Sequence, residues 1–157
     1  KVRQIGKKHM VIILSCMLLY LSLVIWNSLA VGPAAAQVRR VDNIDLLARV
    51  VSAEAEGEPY SGQVAVASTI LNRVADPRFP NTSSGVIFQP HAFESVTNGL
   101  IWRRSPSATA YQATRDAANG YDPGYGSVFF WNPSKPVNPW IWSRSIIAWI
   151  GRHVFAK

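Results

Sequence analysis

The 157-residue sequence predicts a mainly helical α+β domain with a short strand region near its C-terminus. Three observations lead there. Apolar residues recur at helical spacing between residues 43 and 74, small residues form a third helical pattern at 105–119, and the chain beyond Asp122 turns to aromatic, proline-broken segments. A chain of this length has room for one domain whose core needs no covalent staples. Its single cysteine, Cys16, lies in an apolar run, which excludes a disulfide framework and a cysteine-based zinc site.

Residues 1–36 read as a targeting segment. A basic start is followed by apolar residues from Met10 to about Val31 and by Ala34-Ala35-Ala36 before Gln37, the layout of a secretory signal peptide cleaved near Ala36. The apolar run is also long enough to be retained as an N-terminal membrane anchor, giving transient membrane association through residues 10–31. Either way residues 37–157 are expected to be exported, to the cell envelope or beyond it. The formal charge of +7 is not a nucleic-acid signal: Lys1, Arg3, Lys7 and Lys8 precede the apolar run, and without them the balance is +3.

The first helix of the exported part is expected over Asn43–Ala55, with Ile44, Leu47, Ala48, Val51 and Ala55 on one face and Asp42 or Asn43 as cap. Gly57 stops it, and Pro59 can open a second helix running to about Val74. A short helix is expected to follow a cap in Asn81–Ser84 and to end at Gln89-Pro90. Ser105-Pro106 starts the third long helix, whose Ala113, Thr114 and Ala117 suggest close packing. Asp122-Pro123-Gly124 is a turn, Ser127–Asn132 a strand, Ser143–Trp149 a last short helix, and His153–Phe155 a terminal strand.

Between the first two long helices stand Glu54, Glu56 and Glu58. At 100° per residue, with Ile44 at zero, Val51 falls at roughly 340°, Leu47 at 300° and Glu54 at 280°, whereas Glu56 falls on the opposite side with Asp45 and Ser52. Glu54 therefore borders the buried stripe. Partial desolvation favours the protonated form of a carboxyl group, which a general acid requires. The plainer alternative is that all three glutamates decorate a helix junction, with Glu58 favouring the next helix through its dipole.

Glycoside cleavage commonly employs two carboxylates, yet Glu94, Asp116 and Asp122, the later candidates, lie in no comparable setting. A mechanism with one catalytic carboxyl fits this inventory better. Tyr121, Tyr125, Phe129, Phe130, Trp131, Trp140 and Trp142 are interleaved with Asn132, Ser134 and Asn138, and aromatic faces beside amides suit sugar rings; about half of these aromatics are expected in the core. His9, His91 and His153 show no ligand spacing, so no metal or other cofactor is expected. No serine elbow, phosphate loop or dinucleotide fingerprint is present.

The run Ala48–Ala67, containing Ser52-Ala53-Glu54-Ala55-Glu56-Gly57-Glu58-Pro59-Tyr60, followed by Leu71-Asn72-Arg73-Val74, closely resembles the SleB/CwlJ-type cell wall hydrolases, the spore cortex-lytic enzyme family. Phe79-Pro80-Asn81-Thr82, Ala92-Phe93, Phe130-Trp131-Asn132-Pro133, Trp140-Ile141-Trp142 and Ile150–Phe155 extend the resemblance over residues 44–157 in the same order. It implies a lysozyme-like catalytic domain over 37–157 that acts on peptidoglycan glycan strands. It also implies that Glu54, the first glutamate of the motif, is the catalytic residue of a lytic transglycosylase. In that reaction Glu54 would protonate the oxygen between N-acetylmuramic acid and N-acetylglucosamine and then deprotonate the muramic C6 hydroxyl, leaving a 1,6-anhydro sugar. Glu56 stands where an arginine is common in the family.

The candidate substrate-binding residues, drawn from the matched motifs and the aromatic-rich third, are Tyr60, Gln63, Phe93, Tyr125, Trp131 and Asn132. A role in cortex lysis at germination goes with the resemblance, although the family's separate wall-binding domain is not seen in this sequence. Two alternatives stand beside it: a peptidoglycan-binding module without catalysis, and a muramidase with water as acceptor.

Overall fold

The computed structural model describes residues 15–17, 20, 41–103 and 105–157. The chain divides into two compact units, Lys1–Pro33 and Ala34–Lys157. Of the first, Ser15, Cys16, Met17 and Tyr20 are helical and exposed; otherwise the signal peptide or anchor expected there lies outside the described residues. The second unit is an α+β domain in the order α1 (Ile44–Glu54), α2 (Tyr60–Ala75), α3 (Ser83–Ile87), α4 (Glu94–Thr97), a 3-10 turn (Leu100–Trp102), α5 (Ala108–Ala118), β1 (Phe129–Trp131), a 3-10 turn (Pro139–Ser143), β2 (Ile146–Ile150) and β3 (His153–Ala156).

The long helices follow their patterns closely. Asn43 caps α1 by accepting a hydrogen bond from Leu46 N at 2.9 Å, Thr82 caps α3, and Ser107 caps α5. Gly57, at φ +75°, turns the chain out of α1. Pro59 is the cap of α2 rather than its first helical residue. This helix is the hub: Val64, Val66, Ile70 and Leu71 are fully buried on different sides of it. It packs against α1, α3 and α5, and Ala110, Ala113 and Ala117 let α5 approach closely. Each such aliphatic side chain contributes about 1.5–3 kcal/mol by leaving water. Its polar residues are also used: Thr69 pairs with Ser127, and Asn72 donates to Asp122 Oδ2 and Ser127 O, fastening the 122–127 turn to the helix.

The sheet corrects one expectation. Ser143–Trp149 is not a helix but a 3-10 turn followed by β2, because β-branched Ile146, Ile147 and Ile150 suit a pleated edge and β3 supplies the hydrogen bonds. The strand order is β1-β3-β2, antiparallel throughout, with a bulge between Ile146 and Ala148. The aromatics divide close to the expected half, three of the seven being drawn into the core. Trp131 is buried and Phe129 and Phe130 half-buried, but Tyr121, Tyr125, Trp140 and Trp142 are exposed. Between α2 and α5 the short α3 and α4 and the first 3-10 turn form.

The β2–β3 turn is clasped to the α1–α2 junction. Glu58, with 2% side-chain exposure, takes the Arg152 guanidinium Nε at 2.6 Å on Oε1 and the Arg152 backbone N–H at 2.8 Å on Oε2. Gly151, at φ +59°, makes room for this: a Cβ there would fall on Glu58 Oε2 and 2.7 Å from Pro59 Cδ. Gly151→Ala is therefore expected to cost about 2 kcal/mol through backbone strain and displacement of Glu58, measured as a lower urea midpoint with unchanged m-value.

Candidate active site

Glu54 is the last residue of α1 and is half-buried, as its position beside the apolar stripe predicts. The side chain is held from a distant part of the chain. Ser95, buried in the first turn of α4, donates its hydroxyl to Glu54 Oε1 at 2.6 Å, and its backbone N–H lies 3.4 Å from the same oxygen. The other carboxylate oxygen has no hydrogen bond of its own among those the described residues make with Glu54. Ser95 thus orients the carboxyl while leaving Oε2 for chemistry.

Two adjoining cavities meet at Glu54. The larger, about 260 Å³, is lined by Glu54, Arg73, Phe93, Phe130, Trp131, Asn132, Lys135 and His153 among others. The smaller, about 140 Å³, is lined by Glu54, Ser95, Asn98 and Leu100. Ala53, Glu54, Glu94 and Lys135 belong to both walls. A carboxyl at the boundary between two sugar-sized recesses stands where a bond joining two rings would cross.

The structure brings Glu54, Phe93, Trp131 and Asn132 together. Tyr60, Gln63 and Tyr125 line neither cavity. Tyr60 donates to Asp116 Oδ2 at 2.6 Å, and burial together with that carboxylate pushes its phenol up to about 12. Gln63 donates to the Glu58 carbonyl, and Tyr125 stands exposed at φ +49° in the turn after α5. Glu56 is on the solvent side, as its angle predicts. Glu58 departs from its expected role: it serves the clasp to Arg152 rather than only the dipole of α2. Of the later carboxylates, Asp116 is engaged with Tyr60 and Gln112, and Asp122 holds the Gly124 and Gly126 amides. Glu94, exposed at the start of α4, lines both cavities.

Ser95, Arg73, Lys135 and His153 are site residues that the sequence reading did not single out. Arg73 had a signal, since it continues the Val66–Ile70 stripe of a helix buried on all sides. Its Nε donates to Val128 O at 2.7 Å, its guanidinium lies 5.3–5.9 Å from the ring centres of Phe79, Phe93 and Phe129, and burial pushes its pKa down to about 10, still cationic near neutrality. His153 is held below the ordinary imidazole value by burial, against the opposing charges of Glu58 and Glu54, and is neutral at pH 7. Among the described residues no group of three or more His, Cys, Asp or Glu side chains could hold a metal ion.

Residues 57–156 match the family model described as Cell Wall Hydrolase, a match that begins just beyond Glu54. The spore cortex-lytic enzyme of Bacillus subtilis is 48% identical over 116 residues, covering 74% of this chain. The chain spans only 38% of that relative's length. The cell wall hydrolase CwlJ of the same organism is 31% identical over 119 residues, covering 72% of this chain and 83% of CwlJ. Among solved structures, the catalytic domain of the germination-specific lytic transglycosylase SleB from Bacillus anthracis superposes with a TM-score of 0.69 at 49% identity, over 73% of this chain and 93% of that one. The lysozyme-like α+β class expected from the resemblance is thus the fold observed.

Proposed function

Because the chain belongs to the cell wall hydrolase family, we propose that it cleaves the glycan strands of peptidoglycan as a lytic transglycosylase, with Glu54 as both acid and base. The observation that carries this reading is the position of Glu54 at the meeting of two cavities, fixed by Ser95. The protonated carboxyl gives its proton to the bridging oxygen as the bond from the muramic C1 breaks. The resulting carboxylate takes the proton of the C6 hydroxyl as its oxygen bonds to C1. One group therefore acts twice, no water is consumed, and the carboxyl is returned in its starting form. The names of the relatives support cortex peptidoglycan as substrate, and the layout of residues 1–36 supports action outside the cytoplasm.

Glu94 supports a second reading. It lines both cavities with Glu54 and is exposed, a setting in which a carboxylate could activate water for ordinary hydrolysis. Digestion of purified cortex and vegetative peptidoglycan side by side, with mass spectrometry of the fragments, tests both. Muramic ends 18 Da lighter than reducing ends are expected, the mass of the one water not added, as the balance of the proposed step requires. Reducing ends alone would overturn the transglycosylase reading in favour of hydrolysis. Sedimentation with peptidoglycan and no soluble fragments at all would leave only a binding module.

A further inference from the structure

Each of the two cavities that meet at Glu54 holds one asparagine in the same local arrangement. Asn98, which ends α4, lines the smaller cavity, and its Oδ1 accepts the backbone N–H of Leu100 at 2.9 Å. Asn132, which follows β1, lines the larger cavity, and its Oδ1 accepts the backbone N–H of Ser134 at 2.9 Å. A backbone N–H can bond only to the amide oxygen, so each turn fixes which way round the side chain stands. Both Nδ2 groups are left without a hydrogen-bond partner among the described residues. Neither is among the buried side-chain atoms that lack a partner: Asn98 is exposed, and the half-buried Asn132 keeps its Nδ2 in contact with open space.

The turn by itself marks nothing, since asparagine carbonyls commonly accept from the backbone two residues on. Asn138 makes the same contact with Trp140 N at 3.0 Å and lines neither cavity. What distinguishes Asn98 and Asn132 is that each presents a pre-oriented, neutral donor to a recess beside Glu54. Lys135 and Glu94 also border both recesses, but each carries a charge on a long, flexible stem. A fixed donor loses little freedom on binding and selects an acceptor at one place. Each cavity also has an aliphatic lining, Leu100 in the smaller and Val137 in the larger. An NH2 donor in a partly apolar recess suits a group with a carbonyl oxygen and a methyl, the two ends of an acetamide.

We infer that Asn98 and Asn132 read the 2-acetamido groups of the two sugars joined by the cleaved bond, one in each cavity. The inference rests on the proposed function for the placing of a glycan strand across Glu54. N-acetylmuramic acid and N-acetylglucosamine both carry this neutral substituent at C2, and the linkages of the strand leave it free. Successive β-1,4-linked rings turn over, so their acetamido groups fall on alternate edges of the strand. Donors from two different elements, the end of α4 and the end of β1, suit that alternation. A strand with hydroxyls at C2 leaves both donors short of their acceptor, which makes the pair a filter for N-acetylated glycan over other β-1,4 polymers.

The test uses the full chain carrying Glu54→Gln, so that the sugar stays intact, and two neutral β-1,4-linked tetrasaccharides that differ at C2: chitotetraose with acetamido groups and cellotetraose with hydroxyls. Isothermal titration calorimetry is expected to show chitotetraose bound roughly tenfold or more tightly, the joint effect of two neutral hydrogen bonds. Asn98→Asp and Asn132→Asp, added to that chain, each keep Oδ1 and the turn but remove the donor. Each is expected to lower chitotetraose affinity roughly three- to tenfold and to leave cellotetraose binding unchanged. Asn138→Asp, the same change on a turn outside the cavities, is expected to alter neither. Equal affinity for the two sugars, no binding of chitotetraose at millimolar concentration, or a preference that survives when Asn98→Asp and Asn132→Asp are combined overturns the inference. The first two outcomes decide it whether or not the asparagine variants fold. Preference for chitotetraose in a protein whose wild type releases no fragments from peptidoglycan would instead sink the proposed function and leave the two readers standing, and fragment release without that preference does the reverse.

Discussion

Glu54→Gln is expected to slow release of soluble fragments from purified peptidoglycan by about 10²–10⁴-fold, the usual contribution of a positioned acid–base group. Glutamine keeps the size of the side chain and the Oε1 acceptor that Ser95 engages at 2.6 Å, so the fold and the cavities should survive. What it lacks is a proton to give and a charge with which to take one back. The thermal midpoint is expected to stay near that of the wild type while the rate collapses. A well-folded Glu54→Gln protein that digests the wall at the wild-type rate would remove Glu54 from the mechanism. Glu94→Gln in parallel assigns the partner: near-normal activity is the outcome for transglycosylation, whereas a comparable loss points to Glu94 as base.

The largest effect on stability is expected for Arg152→Met. Arg152 itself is 63% exposed, but the carboxylate it holds has 2% side-chain exposure, so the variant strands a buried charge with only the backbone N–H of residue 152 as donor. Removing one partner from such a pair costs about 3–4 kcal/mol and should lower the thermal midpoint by roughly 10 °C. The pH dependence has a definite sign. Burial pushes Glu58 up, but the Arg152 amide and guanidinium outweigh it and hold the carboxyl below its ordinary value of 4.5. The ion pair therefore stabilises the protein fully above pH 4.5 and is lost as the pH falls from there through the lowered folded value. Urea midpoints measured from pH 7 downward should converge for wild type and variant at acid pH; a constant gap across the range would show that packing, not charge, is what Arg152 supplies.

The helical part of this protein was legible because its determinants are local. Asn43, Ser107 and the spacing of Ile44, Leu47 and Val51 act over one or two turns, and so does the angle that put Glu54 beside the buried stripe. The 143–149 segment was not legible because its strand is completed by β3, and short apolar runs are ambiguous until a partner is known. The site divides in the same way. Glu54 could be ranked from its own helix, whereas Ser95 reaches it across 41 residues and Arg73 and His153 reach its cavity through the packing of α2 and the sheet. Tyr60, Gln63 and Tyr125 had suitable chemistry for binding a sugar, but the fold engages the first two with Asp116 and the Glu58 carbonyl and leaves Tyr125 on an outer turn. Residue type suggested a ligand in each case, whereas position puts all three outside the two cavities that meet at Glu54.

The strand order has a consequence for timing. β3 is the last of the three strands in the chain yet occupies the middle of the sheet, so β1 and β2 have no common partner until it is made. The helices can assemble around α2 as they emerge, and Glu54 can take its place on α1 early. His153, and the pairing that fixes Trp131 opposite Val154, arrive only with the final strand. A chain still being synthesised therefore has Glu54, the proposed acid, before it has the cavity wall that the sheet supplies, and the proposed wall-degrading activity is expected to switch on late, when the sheet closes, rather than grow with each added helix.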